Sequence, residues 1–365
     1  LNNNNYILCT EDGSPAYIDI TASTTGIGTN SISITMNGTP TLVNKPVKLI
    51  ATIKKSIGQE KTKTINKSVK KLIDSSLSTD NYGLRVFDDT ISLGVVDGFK
   101  LRAIYASSSS VTTPVTPTLT ISNLTGATSS TIVPGDVLTG EDSNALGVVI
   151  SFDPSTNVIE YYSTFSTFVL DEKILYNDNT ATISGITEGD TNIKSHYKLD
   201  DGQRSSYYDI ARIVRNKTGS IPNEQQLLII FDYFTHSSTG DYFTVDSYEN
   251  QIPRSEIPFS FVGSTKYSLA DVFDFRSSID IPAATDNHFI FENRSFDTGT
   301  ADVINPPRIN HLITSDFEYY LSRIDHLYLN NSGSFIIQKG TSSEVPVAPP
   351  TINDSMKLCA ISIPA

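Results

Sequence analysis

Two dense β-forming runs constrain the fold of this chain more than any other feature. Residues 227–234 and 241–248 are rich in aromatic and β-branched side chains, which favour extended strands. The Ser/Thr/Gly segment 235–240 between them has the composition of a turn. The pattern therefore predicts a β-hairpin. By alternation, four aromatic residues are expected in its core: Tyr233, Phe234, Tyr242 and Phe243.

Polar residues interrupt and flank these runs, and they allow two interpretations. A functional interpretation groups four of them into a metal or acid–base cluster: Asp232, His236, Asp241 and Asp246. The alternative is that the aspartates cap turns and accept hydrogen bonds from backbone N–H groups. The alternative is favoured, because the chain has no metal-binding spacing such as His-x-x-x-His or Cys-x-x-Cys.

The composition extends the β prediction to the whole chain. Ser, Thr and Asn are abundant beside Tyr, Phe, Ile and Val, and only 18% of the residues are charged, which favours sheet and ordered loops over helix. The predicted fold class is all-β or mostly β, a multi-module β-sandwich and small β-barrel architecture with few short helices.

Charge and hydropathy exclude some function classes. The net charge of −13 argues against a nucleic-acid-binding surface over most of the chain. No apolar run approaches the roughly 20 residues of a membrane span, so none is expected. Cys9 and Cys359 leave a disulfide open, with reduced, buried thiols as the default expectation.

Composition shifts along the chain predict its domain organisation. The predicted parts are an N-terminal β-rich domain (1–110), a Ser/Thr/Pro linker (111–117), a small inserted β-barrel or sandwich module (118–194) and a C-terminal β-rich domain with an extended arm (195–365). A faint repeat supports the inserted module, since residues 135–138 recur as 171–174. The start at Leu1 and the alternating segment at the end suggest that the chain continues in a longer parent protein.

The one basic block of the chain lies between residues 54 and 71, with Glu60 as its sole acid. It fits binding to phosphate, an acidic lipopolysaccharide or a nucleic acid, or a lysine-bearing edge strand that deters unwanted strand pairing. A short amphipathic helix also fits the apolar residues within it, so strand and helix both stay open. Six of its lysines are candidate assembly residues: Lys54, Lys55, Lys63, Lys67, Lys70 and Lys71.

Catalytic signatures are missing from the sequence. There is no Gly-x-Ser-x-Gly elbow, phosphate-binding glycine loop, zinc pattern or dinucleotide fingerprint, so no enzymatic activity, cofactor or metal is predicted. Asp274 and Arg276 are expected to form a local ion pair. The alternative glycan site is Asp316, Glu318, Tyr319 and Tyr320: on a strand the two acids would share a face, as a glycan depolymerase needs, and the tyrosines could stack on sugars.

Several aromatic motifs carry a resemblance to a known family. The motifs resemble a large virion structural protein of T4-like, contractile-tailed bacteriophages of the cyanophage type, and they lie at residues 197–204, 207–212, 231–234, 245–248, 267–276, 318–325 and 361–365. The resemblance covers residues 195–365 and, more weakly, 45–105. It implies no catalytic residue.

What the resemblance implies is a baseplate or tail-fibre-associated protein that acts by subunit assembly and not by catalysis. It implies a homo-oligomer (a trimer or a six-fold arrangement), other tail proteins as partners, and location in the phage tail after assembly in the host cytoplasm. The alternative is a carbohydrate-binding or glycan-depolymerising protein that recognises a host surface glycan.

Overall fold

The fold is known from a computed structural model, and it is all-β as the composition predicts. In the described residues the helices are 3₁₀ turns of three residues: Lys194–His196, Asp246–Tyr248 and Arg254–Glu256. Within this described part, no helix has the length and apolar character needed to cross a membrane. The structure describes residues 6–10, 20–21, 27–28, 31–32, 35–36, 45–52, 54, 57–74, 80–109, 111–125, 132–216, 225–248, 251–283, 288–290, 294–296, 307–308, 310–316 and 319–364.

The chain divides into two compact units, Leu1–Pro306 and Pro307–Ala365. Among the described residues the first unit begins with β1 (Tyr6–Thr10), β2 (Ile20–Thr21), β3 (Ile27–Gly28), β4 (Ser31–Ile32), β5 (Thr35–Met36), β6 (Val47–Ala51), β7 (Lys63–Ile73), β8 (Thr90–Val96) and β9 (Gly98–Ser107). Strand β1 pairs with β6, β2 with β5 and β3 with β4, each pair antiparallel.

A closed six-stranded barrel follows β9. Its strands are β10 (Thr118–Thr125), β11 (Val137–Gly140), β12 (Leu146–Asp153), β13 (Val158–Phe165), β14 (Lys173–Tyr176) and β15 (Asn179–Thr187), in the order β10-β13-β12-β11-β14-β15. The sequence repeat corresponds to the hairpins β11–β12 and β14–β15, and its matched residues Leu138 and Ile174 are both fully buried in the barrel core.

Beyond the barrel, the first unit is a sandwich of two antiparallel sheets. The remaining strands are β16 (Thr191–Asn192), β17 (Tyr197–Asp200), β18 (Tyr207–Tyr208), β19 (Ile210–Arg215), β20 (Gln226–His236), β21 (Phe259–Val262), β22 (Thr265–Ser268) and β23 (Ser277–Ser278). One sheet has the order β16-β9-β20-β7 and the other β17-β19-β8. Strands before and after residue 195 pair with each other, as β8 does with β19 and β7 and β9 do with β20. Residues 195–306 therefore share one compact unit with the N-terminal strands.

The barrel is inserted between two neighbouring strands of one sheet. β16, which follows the barrel, pairs antiparallel with β9, which precedes it. The connecting segment 111–117 has no regular secondary structure, but it is fixed by hydrogen bonds. The N–H of Val115 donates to Asp190 Oδ2 at 2.7 Å, and the N–H of Asp190 donates to the carbonyl of Val115 at 2.8 Å.

Strand β20 is central, and both of its faces are buried. Leu227, Ile229 and Phe231 lie in the core between the two sheets. Leu228 and Ile230 point the other way and pack against side chains of the barrel. Burial on both faces explains why residues 227–231 of this strand are all apolar and do not alternate with polar residues.

The predicted hairpin is wrong, because β20 pairs with β7 and β9 instead of with residues 241–248. Those residues form no strand; Tyr242 and Phe243 make single bridges to Glu60 and Asp274, and a 3₁₀ turn follows. With both edges of β20 occupied, the aromatic run packs across the end of the sheet. Of the four expected core residues, Phe234 and Phe243 are fully buried, and Tyr233 and Tyr242 are half-buried.

The second unit contains a three-stranded antiparallel sheet. Its strands are β24 (Arg323–Asn330), β25 (Phe335–Gln338) and β26 (Ser355–Ile363), in the order β25-β24-β26. Strands β24 and β25 form a hairpin, and Gly333 supplies the positive φ of +79° in its turn. Cys9 and Cys359 are free thiols, and Cys359 is exposed, so the expectation of buried thiols is wrong for Cys359.

Candidate functional site: a buried lysine cluster

Much of the basic block lies on β7, the outer strand of the four-stranded sheet, which decides for a strand and against a helix. Lys55 lies outside the described residues. Lys63 is completely buried and cannot serve as a surface contact, so its assignment to an assembly surface is corrected. Three of the remaining candidates are exposed and one is partly buried: Lys54, Lys67, Lys70 and Lys71.

The proposed cluster of Asp232, His236, Asp241 and Asp246 does not form. In the described part of the chain, no group of three or more His, Cys, Asp and Glu residues is placed to hold a metal ion. Asp241 accepts a hydrogen bond from the backbone N–H of Gln59 at 2.9 Å, and Asp246 begins a 3₁₀ turn. The alternative interpretation therefore describes Asp241 better than a metal or acid–base cluster does.

Asp232 has a different structural task, in the middle of β20. It is fully buried, and its carboxylate accepts the N–H of Ser68 at 2.8 Å and the Nε–H of Arg102 at 2.8 Å. Ser68 has a φ of +53° and lies where the pairing of β7 with β20 shifts register. The carboxylate thus replaces a backbone acceptor that the β-bulge removes from the ladder.

The described residues of the alternative glycan site do not lie on a strand. Asp316, Tyr319 and Tyr320 lie in segments without regular secondary structure, and Glu318 lies outside the described residues. The argument that the two acids share one face of a strand therefore has no support. The tyrosines are exposed, at 61% for Tyr319 and 78% for Tyr320.

The pairing of β7, β8, β9 and β20 brings distant polar residues together at one end of the sandwich. Lys63 begins β7 and is paired with His236, the last residue of β20. Asp97 forms the bend between β8 and β9, with a φ of +52°, and its carbonyl accepts the N–H of Phe234 at 3.0 Å. Strand ends and one bend therefore place Lys63, Asp97 and His236 side by side.

The carboxylate of Asp97 is the centre of this lysine cluster. Its Oδ2 lies 2.6 Å from Lys63 Nζ and 2.8 Å from His236 Nε2, while Oδ1 accepts a hydrogen bond from Gln203 Nε2 at 2.7 Å. The side chains of Lys63 and Asp97 are both 0% exposed. Such a dry ion pair persists only because each charge has its partner and further hydrogen bonds.

Aromatic rings enclose the ammonium group of Lys63. Nζ lies 4.5 Å from the ring centre of Tyr208, 4.8 Å from that of Phe243, 4.9 Å from that of Tyr248 and 5.8 Å from that of Phe234. It also donates a hydrogen bond to the Tyr208 hydroxyl at 2.9 Å. Cation–π attraction therefore adds to the ion pair in holding the buried charge.

A second ion pair extends the lysine cluster on the far side of Tyr208. The Tyr208 hydroxyl donates to Asp274 Oδ2, and Arg276 Nε and Nη2 donate to the same carboxylate at 2.9 and 2.7 Å. Arg276 Nη1 also donates to Ser260 Oγ at 3.0 Å. The predicted ion pair between Asp274 and Arg276 is confirmed, and it is buried.

Electrostatics keeps these groups in their charged forms. Burial alone would lower the pKa of Lys63, but the electrostatic contributions of Asp97 and, to a lesser degree, Tyr208, Tyr248 and Asp274 together outweigh burial and hold that pKa well above its usual value. Burial alone would raise the pKa of Asp97, but Lys63 and the hydrogen bond from His236 lower it to about 2. Burial raises the pKa of the Tyr208 phenol, which therefore stays protonated as a donor.

A neighbouring network of arginines surrounds a second buried carboxylate. Asp209 is 4% exposed, and its carboxylate oxygens lie 3.0 Å from Arg294 Nε and 3.5 Å from Arg204 Nε. The same carboxylate also forms an ion pair with Arg212. The carbonyl of Arg204 also accepts a hydrogen bond from Arg276 Nη1 at 2.8 Å, which joins the two networks. These contacts fix the loops at this end of the sandwich.

Comparisons of the chain with protein-family models, curated proteins and solved structures found no match. The resemblance to phage tail proteins therefore stays a prediction from the aromatic motifs. Sequence reasoning found Asp274 and Arg276, but it missed Asp97, Gln203 and the burial of Lys63. The only local signal was the Asp-Gly turn at residues 97–98.

Proposed function

We propose that this chain is a structural component of a bacteriophage tail, in the baseplate or at a tail fibre, and that it acts by assembly into homo-oligomers with other tail proteins. The aromatic motifs of residues 195–365 support the phage assignment by resemblance. The observation that carries the assembly mode is an exposed apolar sheet face in the second unit.

That face follows from the strand register of β24, β25 and β26. Residues directly opposite each other in an antiparallel pair lie on the same face, and so do residues two apart on one strand. Phe335 is 70% exposed, Met356 62% and Ile337 58%. Two cross-strand rows of apolar side chains result: Met356–Leu329–Phe335 and Cys359–Leu327–Ile337.

A three-stranded sheet with such an exposed apolar face is expected to be covered by another chain. Among the described strands, β25 and β26 are both edges of the sheet, and unpaired strand edges template association with another chain. A contiguous exposed apolar patch marks a contact surface in soluble proteins. Copies of this unit, or neighbouring tail subunits, would cover it.

The enclosed lysine cluster supports assembly over catalysis. Lys63, Asp97, Tyr208 and Asp274 are all buried, so the groups with the strongest electrostatic coupling face no open groove. Within the described residues, the chain's acid–base chemistry therefore stabilises loops and strand ends. This arrangement fits a protein that must hold its shape in a particle.

The association state of the full chain tests the assembly mode. We expect light scattering after size-exclusion chromatography to show a discrete oligomer, and Phe335→Glu with Ile337→Glu to shift it towards the monomer. Val111→Glu is the matched control, because Val111 is 89% exposed and lies in the first unit. A monomer for the unmodified chain at tens of micromolar would overturn the proposal.

The location is tested separately. Immunogold labelling of purified particles of the encoding phage, with antibody against residues 195–365, should place gold at the baseplate or its fibres. Particles that carry neither gold nor a reactive band on a blot would remove the phage assignment.

The carbohydrate-binding alternative rests on the exposed Tyr319 and Tyr320. Aromatic side chains on a surface can stack on sugar rings. A saturable interaction with host surface glycan that is lost in Tyr319→Ala, and retained in Tyr267→Ala, would favour it. Tyr267 is a suitable control because it is 44% exposed on β22.

A further inference from the structure

We propose that Lys63 and Asp97 condense spontaneously to an intramolecular isopeptide bond, which ties the start of β7 to the bend between β8 and β9. The site is a modification site within the fold, and the protein itself is the only substrate. The inference is independent of the proposed tail function.

The geometry is that of a nucleophile and an acyl group held in contact. Lys63 Nζ lies 2.6 Å from Asp97 Oδ2, and both side chains are 0% exposed. Their backbones are fixed on two elements of one sandwich, so the pair cannot separate without opening the sheet end. Groups held in this way reach effective molarities on the order of 10⁵–10⁸ M, which favours condensation over hydrolysis.

The surrounding polar groups fit the requirements of acyl transfer. Gln203 Nε2 donates to Asp97 Oδ1 at 2.7 Å, where negative charge develops when nitrogen attacks the carboxyl carbon. His236 Nε2 lies 2.8 Å from Oδ2, the oxygen that leaves. The Tyr208 hydroxyl contacts Nζ at 2.9 Å and can relay a proton.

The step balances without any added reactant. One proton moves from the ammonium group of Lys63 to Oδ2 of Asp97, and the freed lone pair of Nζ forms the bond to the carboxyl carbon. A second proton leaves Nζ, through Tyr208 or His236, and also reaches Oδ2. The bond between carbon and Oδ2 then breaks, water departs, and the amide keeps one proton on nitrogen.

The dry aromatic surroundings favour this outcome. In the resting pair both groups are charged, so one proton has to move from Lys63 to Asp97 before the nitrogen can attack. Because Nζ lies 2.6 Å from Oδ2, this transfer is direct and needs no solvent. The rings of Tyr208, Phe243 and Tyr248 exclude the bulk water that would favour the reverse reaction, hydrolysis of the amide. No such enclosure exists for the exposed pair Lys70–Glu160.

Mass spectrometry of the full, denatured chain tests the proposal directly. We expect the intact mass to lie about 18 Da below the sequence mass, because condensation releases one water. A protease digest should contain a branched peptide in which the segment with Lys63 is joined to the segment with Asp97. An intact mass equal to the sequence mass after prolonged incubation of folded protein would overturn the proposal, and so would a loss of water located elsewhere.

Variants separate the chemistry from a simple ion pair. Asp97→Asn should react with loss of about 17 Da, since ammonia replaces water as the leaving group, whereas Asp97→Ala should show no loss. Gln203→Ala should retain the fold and slow the loss in freshly folded samples. Lys70→Arg is the matched control, and it should leave the loss unchanged. If the Asp97 variants do not fold, the mass of the unmodified chain still decides.

Discussion

Arg276 offers the sharpest test of the buried charge network. Its side chain donates five hydrogen bonds, to Asp274 twice, to Ser260, to Tyr208 and to the carbonyl of Arg204. The side chains of Arg276 and Asp274 are only 9% and 6% exposed. Replacement by Met keeps a flexible, unbranched but shorter side chain, and it removes the charge and all five donors. Asp274 would then be a buried carboxylate without its cation.

The size of the destabilisation expected for Arg276→Met follows from the burial of the ion pair. Removing one partner of a buried ion pair costs about 3–5 kcal/mol of unfolding free energy, because an uncompensated charge stays behind. An exposed pair contributes about 0–1 kcal/mol. The chain contains such a pair for comparison, Arg254 and Asp271, at 2.6 Å with side chains 54% and 61% exposed. Arg276→Met and Arg254→Met therefore differ in burial and not in side-chain chemistry.

Unfolding in urea, monitored by hydrogen exchange of peptides from residues 258–280, measures this difference in stability locally. The local readout is needed because a barrel, a sandwich and a second unit need not unfold in one transition. We expect Arg276→Lys, which keeps the charge but loses the planar fork, to lie between the two Met variants. If Arg276→Met destabilises this region by no more than Arg254→Met does, the buried pair does not have the role assigned to it.

Three further predictions concern acid, glycine and the barrel. Burial alone would raise the pKa of Asp274, but Arg276, Lys63 and the Tyr208 hydroxyl together lower it, so the folded chain binds this proton less readily than the unfolded chain. The stabilisation is therefore present above the ordinary pKa of about 4, and stability in urea titrations should fall as the pH drops below it. Gly263→Ala should destabilise the chain by roughly 1–2 kcal/mol through positive-φ strain alone, because none of the described atoms lies within 4 Å of a Cβ at Gly263. Gly202→Ala should destabilise it by clearly more, because a Cβ at Gly202 would lie 2.2 Å from the carbonyl oxygen of Asp209. Thermal unfolding of the two variants compares these effects. Glu172→Ala should lower the unfolding free energy of the barrel by about 2–4 kcal/mol, because the 2%-exposed Glu172 accepts hydrogen bonds from several backbone N–H groups. Hydrogen exchange in residues 137–150 should rise, while exchange in residues 258–280 should stay unchanged.

Local patterns in the sequence were sufficient to predict several elements of the fold. The barrel strands alternate, and Leu138 and Ile174 recur at equivalent places of two hairpins, so a small closed β module was within reach of pattern reasoning. The hairpin β24–β25 was equally accessible, because its turn residues require one geometry. These elements depend on contacts between residues that are close in sequence.

The pairing of β20 was beyond such reasoning. Its neighbours are β7 and β9, whose residues lie more than a hundred positions earlier in the chain, and the nearer aromatic run at 241–248 looked like a better partner. β propensity reports a side chain's fit to a half-buried surface and not the identity of its partner. Phe243 and Tyr248 show the consequence, because both are buried without belonging to a strand.

Lys63 shows most clearly why the candidate site could not be read from the sequence. In the linear chain it is one lysine of a basic block, and its neighbours Lys54, Lys67 and Lys70 are exposed as the block suggests. Its burial is decided by Asp97 at a bend 34 positions away, a contact that exists only once β7 and β20 have paired. A charge among like charges is expected to be solvated. It becomes a buried reactive group through tertiary structure alone, and for that reason the mass of the intact chain, which reports the state of this one pair, tests the fold and the chemistry together.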